Sequence, residues 1–398
     1  MGEVDARIGD TGDSVIDGTC EPRFQRVRDA FAENFASYGE VGATVAVAVD
    51  GQLVVDLWGG HADAARTRLW TRDTIVNIAS TTKGLTAICA HRLVDGGLLD
   101  LEAPVATYWP EFAQAGKATL PVHFLLSHRA GLPAIETPLP TEAFYDWDRM
   151  TRALAAQRPW WEPGTRHGYH PFTFGWLVGE VVRRITGKSL GTYWREEVAE
   201  PFGIDCHIGL AAEHDARVAE FIPVPPPPPG QPDPETEFLK HAGPMTQKAV
   251  NNPPKTVADM NTRAWRRAEI PAGNAHTHAR ALARVFGALA CGGAVAGVRV
   301  LSASSINRAR TEHASGPDAV LFGIPTRFGL GFSLASPGAS IGSASAAAFG
   351  SFGAGGSMAL ADPATRVSFA YVMNQMGAGL MPPDPRAARL IDALYASM

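Results

Sequence analysis

A β-hairpin pattern at each end of the chain limits the fold more than any other feature. Near the start, Ala43-Thr44-Val45-Ala46-Val47-Ala48-Val49, the turn signal Asp50-Gly51, and Gln52-Leu53-Val54-Val55-Asp56-Leu57-Trp58 read as two paired strands. Near the end, Ser357-Met358-Ala359-Leu360, a turn through Ala361 to Thr365, and Val367 to Met373 read the same way, and a helical stretch from Pro385 to Tyr395 follows. Phe24, Val27, Phe31 and Phe35 recur at helical spacing ahead of the first hairpin. The chain is therefore expected to open as helix, strand, strand. The simplest assembly is one antiparallel sheet built from both termini and flanked by terminal helices, an α/β arrangement of the α+β type. The middle of the chain, with helical patterns around Val181 to Ile185 and Ala279 to Leu289, forms a second, mostly helical lobe. The expected division is 1–79 with 275–398 as the sheet domain and 80–274 as the helical domain, with the site between them.

At 398 residues the chain exceeds the usual size of a single core. A net charge of −5 gives no basic surface for a nucleic-acid backbone, so no nucleic-acid partner is expected. Cys20, Cys89, Cys206 and Cys291 lack C-x-x-C spacing and read as free thiols. Met1 to Asp10 is polar, without the apolar run of a secretory signal, and no stretch reads as a membrane span, so a cytoplasmic protein is expected. The sequence fixes no oligomeric state.

Ser80-Thr81-Thr82-Lys83 follows the strand-like Thr74 to Ala79. Residues three apart on a helix are neighbours, so Lys83 can bring its amine to the Ser80 hydroxyl. A serine needs such a base to act as a nucleophile, and a helix start at Ser80 aims free backbone N–H groups at a developing oxyanion. A bare S-x-x-K turns up about once by chance in a chain this long. The context strengthens it: Leu85, Ile88, Arg92 and Leu93 continue the helix, and Asp95-Gly96-Gly97 stops it. The competing reading is a helix-capping serine followed by a solvated lysine. Tyr169, on a turn after Trp161 to Gly168 and ahead of a helical run, is the next candidate. The small-residue segment Phe349 to Ser357 permits close backbone approach to a ligand.

These residues, in this order, resemble the serine β-lactamase and penicillin-binding-protein superfamily, above all its family VIII carboxylesterases related to class C β-lactamases. Ser80-Thr81-Thr82-Lys83 resembles the S-x-x-K motif, and Leu125-Leu126-Ser127-His128-Arg129-Ala130-Gly131-Leu132 the connector of the helical lobe. Tyr169 matches the catalytic tyrosine, and Phe328-Gly329-Leu330-Gly331-Phe332 precedes the last sheet strands. The resemblance implies a β-lactamase/DD-peptidase-like fold, no cofactor or metal, and a small-molecule ester as substrate. It implies an acyl-enzyme on Ser80, a base role shared by Lys83 and Tyr169, and oxyanion donors from the backbone N–H groups of Ser80 and Ala354. Holding Tyr169 as a phenolate at neutral pH would take roughly three pKa units, about 4 kcal/mol. A neutral Lys83 needs comparable desolvation. The sequence leaves that choice open.

Two departures bear on the substrate. Pro171 stands where class C enzymes carry an asparagine, and Ser351-Phe352-Gly353 stands where the family carries K-T-G. The lysine that attracts a substrate carboxylate is thus replaced by a neutral hydroxyl, which favours uncharged esters. Ser351, Phe352, Gly353, Trp160, Tyr145 and His170 are the expected substrate-binding residues, although core packing explains each aromatic equally well. His276 and His278 fall on different faces of an expected helix and suggest no metal. Gly338-Ala339-Ser340-Ile341-Gly342 matches G-x-S-x-G without the strand and helix that an elbow needs. The Pro225 to Pro229 run reads as a rigid connection, or as a ligand for an SH3-like partner. Short- to medium-chain ester hydrolysis is the expected function. The alternatives are an acyltransferase or amide/β-lactam hydrolase using the same serine, and a non-catalytic binding protein of the same fold.

Overall fold

The strand Gly42–Val49 is buried along nearly its whole length, and Val367–Met373 is buried throughout. A run with no polar face belongs in the middle of a sheet covered on both sides. A computed structural model of the chain describes residues 16–398 apart from 228–229, 231–233, 336–340 and 379–382, and it places both runs at the centre of an antiparallel sheet. In chain order the strands are β1 (Ile16–Cys20), β2 (Gly42–Val49), β3 (Gln52–Gly60), β4 (Ala314–Pro317), β5 (Pro325–Phe328), β6 (Ser333–Leu334), β7 (Phe349–Phe352), β8 (Met358–Asp362) and β9 (Val367–Met373). Among the described residues their spatial order is β1-β3-β2-β9-β8-β7-β6-β5-β4.

Both expected hairpins are present. Asp50 (φ 50°) and Gly51 (φ 78°) are left-handed, as a two-residue turn matched to strand twist requires. The two termini join where β9 pairs with β2, from Val367 opposite Val49 to Met373 opposite Ala43. Among the described residues the first element is a strand, not a helix. β1 comes first and pairs with β3 as an edge strand, with Asp17 opposite Trp58. Its sequence, Ile-Asp-Gly-Thr-Cys, carries too little apolar alternation to announce a strand.

Helix α1 (Gln25–Ser37) buries Val27 and Phe31 and packs on the C-terminal helix, while α4 (Ala279–Ala290) lies against β2, β8 and β9. They cover opposite faces. Ser368 Oγ donates to Ala283 O of α4, whereas the Tyr371 hydroxyl, three positions along β9, bonds Glu40 just after α1. The C-terminal helix runs Pro385–Tyr395, with Asp384 as its N-cap.

The segment 80–274 is largely helical, including α2 (Thr82–Asp95) and α3 (Thr173–Thr186). A small sheet stitches it to the flanking segments, with His276–Thr277 paired to both Val76–Asn77 and Cys206–His207. His276 and His278 therefore do not share a helix: the first is on a strand, and His278 caps α4 by accepting from Ala281 N at 3.2 Å. No helix among the described residues is long and apolar enough to cross a membrane. Cys89 and Cys206 are buried free thiols; Cys20 and Cys291 are half-buried and also free. Met1 to Asp10, Ser340 and the end of the proline run lie outside the described residues.

Candidate active site

The chain reaches Ser80 through a strained turn. Asn77 Oδ1 accepts from Ala79 N at 2.7 Å, and Ala79 itself sits at φ 44°, a left-handed conformation that a residue with a Cβ rarely adopts. A 3-10 turn, Ala79–Thr81, then leads into α2, so the regular helix begins at Thr82 rather than at Ser80. The hydroxyl of Thr82 fixes this entry from inside, donating to Ala79 O at 2.6 Å and accepting from Ala275 N at 3.0 Å. Gly84 lets α2 pack closely one turn on, since a Cβ there would lie 3.1 Å from both Phe286 and Ser351, a tight contact.

Lys83 Nζ lies 2.9 Å from Ser80 Oγ, 2.7 Å from Pro171 O and 2.9 Å from Ala272 O. The side chain is buried, and burial alone pulls its pKa well below that of a free lysine. All three partners are oxygens within hydrogen-bond reach of the amine, two of them carbonyls that can only accept. Pro171, where the family pattern has an asparagine side chain, thus still serves the site through its backbone oxygen.

Tyr169 stacks beside this group, with Lys83 Nζ 4.8 Å from its ring centroid. Burial pushes its phenol up to about 12, although a hydrogen bond with the Ser80 side chain pulls the other way. It is a phenol, not a phenolate, at neutral pH. Its backbone is held by Asp318, whose two carboxylate oxygens accept from Tyr169 N at 3.1 and 3.0 Å. The same carboxylate accepts from Val320 N at 2.8 Å, Leu321 N at 2.9 Å and Thr326 Oγ1 at 3.2 Å. His128, a positive-φ residue (59°), packs its ring 5.0 Å from that of Tyr169 and 4.7 Å from Phe328. Its Nδ1 accepts from His170 N at 3.2 Å.

Opposite Ser80 runs the turn that follows β7. Ser351 Oγ donates to Ser80 O at 3.2 Å, Thr81 Oγ1 donates to Ser357 O at 3.1 Å, and Ser357 Oγ donates to Ile78 O at 2.8 Å. These bonds clasp the Ser80 segment to the strand end that carries Ala354. Among the described residues, no hydrogen bond takes up the backbone N–H of Ser80 or of Ala354. Gly353 tolerates the close approach: a Cβ there would come within 2.2 Å of Ser357 Oγ and 2.5 Å of Ile78 O.

The other expected substrate contacts divide. His170 is fully buried, its Nδ1 lies 2.7 Å from Gly168 O, and its Nε2 accepts from Leu132 N at 3.1 Å. Burial lowers its pKa to about 3, so it is a neutral pin for the tyrosine turn. Ser351 is likewise buried and committed to the Ser80 carbonyl. Phe352 is half-buried against the main core. Tyr145 is half-buried, its hydroxyl bonded to Thr262 on the helical side. Trp160 donates to Ala134 O at 2.9 Å and lines a cavity of about 320 Å³ with Pro244, Met245, Ala319 and Phe322. That cavity wall abuts the tyrosine turn, since a Cβ at Gly168 would meet Ala319 Cβ at 3.2 Å. Sequence reasoning missed Asp318, the carbonyls of Pro171 and Ala272, and the strain at Ala79. An isolated aspartate and two backbone oxygens leave no local signature. No cluster of His, Cys, Asp and Glu among the described residues forms a metal site.

Comparison with known proteins gives a consistent family. The β-lactamase family model matches residues 27–393. The chain is 38% identical to the esterase/β-lactamase LipL of Mycobacterium tuberculosis over 379 residues, 94% of this chain and 86% of that protein. It is 32% identical to the esterase EstB of Burkholderia gladioli over 213 residues, about half of each chain (49% and 52%). Among solved structures, a family VIII carboxylesterase superposes with a TM-score of 0.89 at 43% identity, covering 96% of this chain and 100% of that one. A penicillin-binding-protein homologue from Caulobacter crescentus gives 0.87 at 42% identity with the same coverage, 96% and 100%. By the family model over most of its length and by its likeness to these relatives, the chain belongs to the β-lactamase family.

Proposed function

We propose that the protein is a serine carboxylesterase acting on short- to medium-chain, uncharged esters through an acyl-enzyme on Ser80. The observation that carries this reading is the environment of Lys83: buried, 2.9 Å from Ser80 Oγ, and, among the described residues, bonded otherwise only to the carbonyls of Pro171 and Ala272. Lys83 as a neutral amine takes the proton from Ser80 Oγ as that oxygen bonds the ester carbon. The tetrahedral oxyanion is held by the N–H groups of Ser80 and Ala354. Tyr169, protonated at neutral pH, gives its proton to the leaving alkoxide and regains one from the Lys83 ammonium. Water then releases the acyl group by the same steps in reverse, leaving Lys83 neutral and Tyr169 protonated.

Two features support uncharged esters. The place of the family's K-T-G lysine is held by Ser351, whose hydroxyl is spent on the Ser80 carbonyl, so that position offers a substrate carboxylate no charge. The cavity beside Trp160, about 320 Å³, is roughly twice the size of one known to hold benzene, and suits an apolar acyl or alcohol group of moderate length. The test is a series of p-nitrophenyl esters of increasing chain length, with nitrocefin included, run on wild type and Ser80→Ala. Ester turnover that vanishes in Ser80→Ala and exceeds nitrocefin turnover in kcat/KM supports the reading. Higher kcat/KM for nitrocefin than for p-nitrophenyl acetate or butyrate overturns the substrate preference.

A further inference from the structure

We propose that Arg386, on the C-terminal helix, is a positioning residue for catalysis: it sets the turn that presents the Ala354 N–H to the oxyanion. The inference rests on the proposed serine mechanism and adds a part that touches neither substrate nor nucleophile.

The turn Gly353–Ser357 is gripped from two sides. On the nucleophile side it is tied to Ile78 and Thr81 through Ser357. On the other side Arg386 Nη2 lies 3.0 Å from Gly355 O and 3.0 Å from Gln375 O, bridging the turn to the segment that leaves β9. Gly377 N also donates to Gly355 O, at 2.9 Å. The turn is closed by Gly353 N to Ser357 O at 2.7 Å and Gly356 N to Gly353 O at 3.1 Å, but Gly355 (φ 87°) and Gly356 (φ 122°) are left-handed and have no side chains to anchor it to its surroundings. Its position is therefore set by what binds its carbonyls. A Cβ at Gly356 would come within 2.9 Å of Asp384, so the turn lies directly on the Asp384–Arg386 pair.

Arg386 is itself fixed. It is buried, its Nε is 2.9 Å from Asp384 Oδ1 and its Nη1 is 3.1 Å from Glu40 Oε1. Glu40 in turn receives the Tyr371 hydroxyl from β9. A planar guanidinium held by two carboxylates is a rigid reference, and its remaining N–H groups reach the turn in one orientation. Burying such a charge cluster is unfavourable unless fully paired, and hydrophobic residues fill a core as well, so packing alone does not account for it.

Arg386→Lys keeps the charge but loses the fork. We expect kcat to fall about 10- to 100-fold, the cost of a misplaced rather than deleted oxyanion donor, with KM within about threefold of wild type. The affinity for an alkyl trifluoromethyl ketone, whose serine hemiketal places an oxyanion in the same hole, falls by the same factor as kcat. Asp384→Asn, which retains the cap but weakens the hold on the guanidinium, gives a smaller drop along the same line. Glu40→Gln, which removes the other charge on the guanidinium, gives a similarly small drop, whereas Val198→Ala, a buried truncation in the helical segment, lowers the melting temperature and leaves kcat per active site unchanged. Active sites are counted by fluorophosphonate titration so that loss of folded protein does not register as loss of rate. Wild-type kcat and ketone affinity in both Arg386→Lys and Asp384→Asn overturn the proposal, as does a kcat loss in Val198→Ala equal to theirs. Failure of the serine reading itself appears separately, as turnover retained in Ser80→Ala.

Discussion

Replacing Asp318 by asparagine changes a single atom and tests how the tyrosine turn is held. In the wild type the carboxylate accepts from three backbone N–H groups, those of Tyr169, Val320 and Leu321, and from the hydroxyl of Thr326. With the amide oxygen kept toward Val320 and Leu321, the amide NH₂ replaces Oδ2 and confronts the N–H of Tyr169, donor against donor. Three hydrogen bonds lose charge assistance, each worth about 1 kcal/mol over a neutral bond. The total is about 3 kcal/mol. At about 2 cal/mol/K of unfolding entropy per residue, a chain of this length loses roughly 4 °C of melting temperature for that sum. Activity falls further than stability suggests, because the phenol is carried by the backbone that Asp318 holds; a displacement on the order of 1 Å costs about 100-fold in rate. The assay is p-nitrophenyl butyrate hydrolysis alongside a thermal melt. An asparagine variant with wild-type melting and wild-type kcat/KM would refute the reasoning.

Other expectations follow from the same geometry. Because burial lowers the Lys83 pKa while Tyr169 stays protonated up to about 12, kcat/KM rises with pH through a single limb below the ordinary lysine value and then levels; Lys83→Arg, which cannot lose its proton, removes the limb and the activity together. His170 and His276 are lowered to about 3 and His278 to about 4, all by burial, so the unfolded chain binds protons there that the folded chain does not. Stability is thus fully present above about pH 6.5 and is lost as pH falls toward 4, by at most about 4 kcal/mol per pH unit for three sites, read from urea midpoints across that window. Trp160→Ala enlarges the cavity and shifts the preferred p-nitrophenyl ester to longer chains; unchanged chain-length preference would place the acyl group elsewhere. Ala79→Val adds a branched side chain to a left-handed backbone and lowers the melting temperature, whereas Ala79→Gly does not.

What the sequence discloses follows from how local each signal is. The hairpins, α1 and the C-terminal helix are written in periodicity and turn residues, and Ser80 with Lys83 share one helical turn. β1 escaped because an edge strand around Gly18 needs little apolar pattern. The sequence neighbours of His170 and Ser351 point to the site, whereas their hydrogen-bond partners, the backbone of Leu132 and Gly168 and the carbonyl of Ser80, are set by tertiary placement. Asp318 is 149 residues from the tyrosine it holds. Pro171 looked like a lost side chain, yet its carbonyl still binds Lys83. Backbone contributions of that kind depend on tertiary placement and have no residue type to mark them.

The central claim is that Ser80 is the nucleophile and Lys83 its base, and peptide mass mapping after a fluorophosphonate probe tests it most directly. The account predicts one adduct, on the peptide carrying Ser80, absent in Ser80→Ala and formed far more slowly in Lys83→Arg. An adduct that persists in Ser80→Ala, or that maps to Ser340, would contradict it.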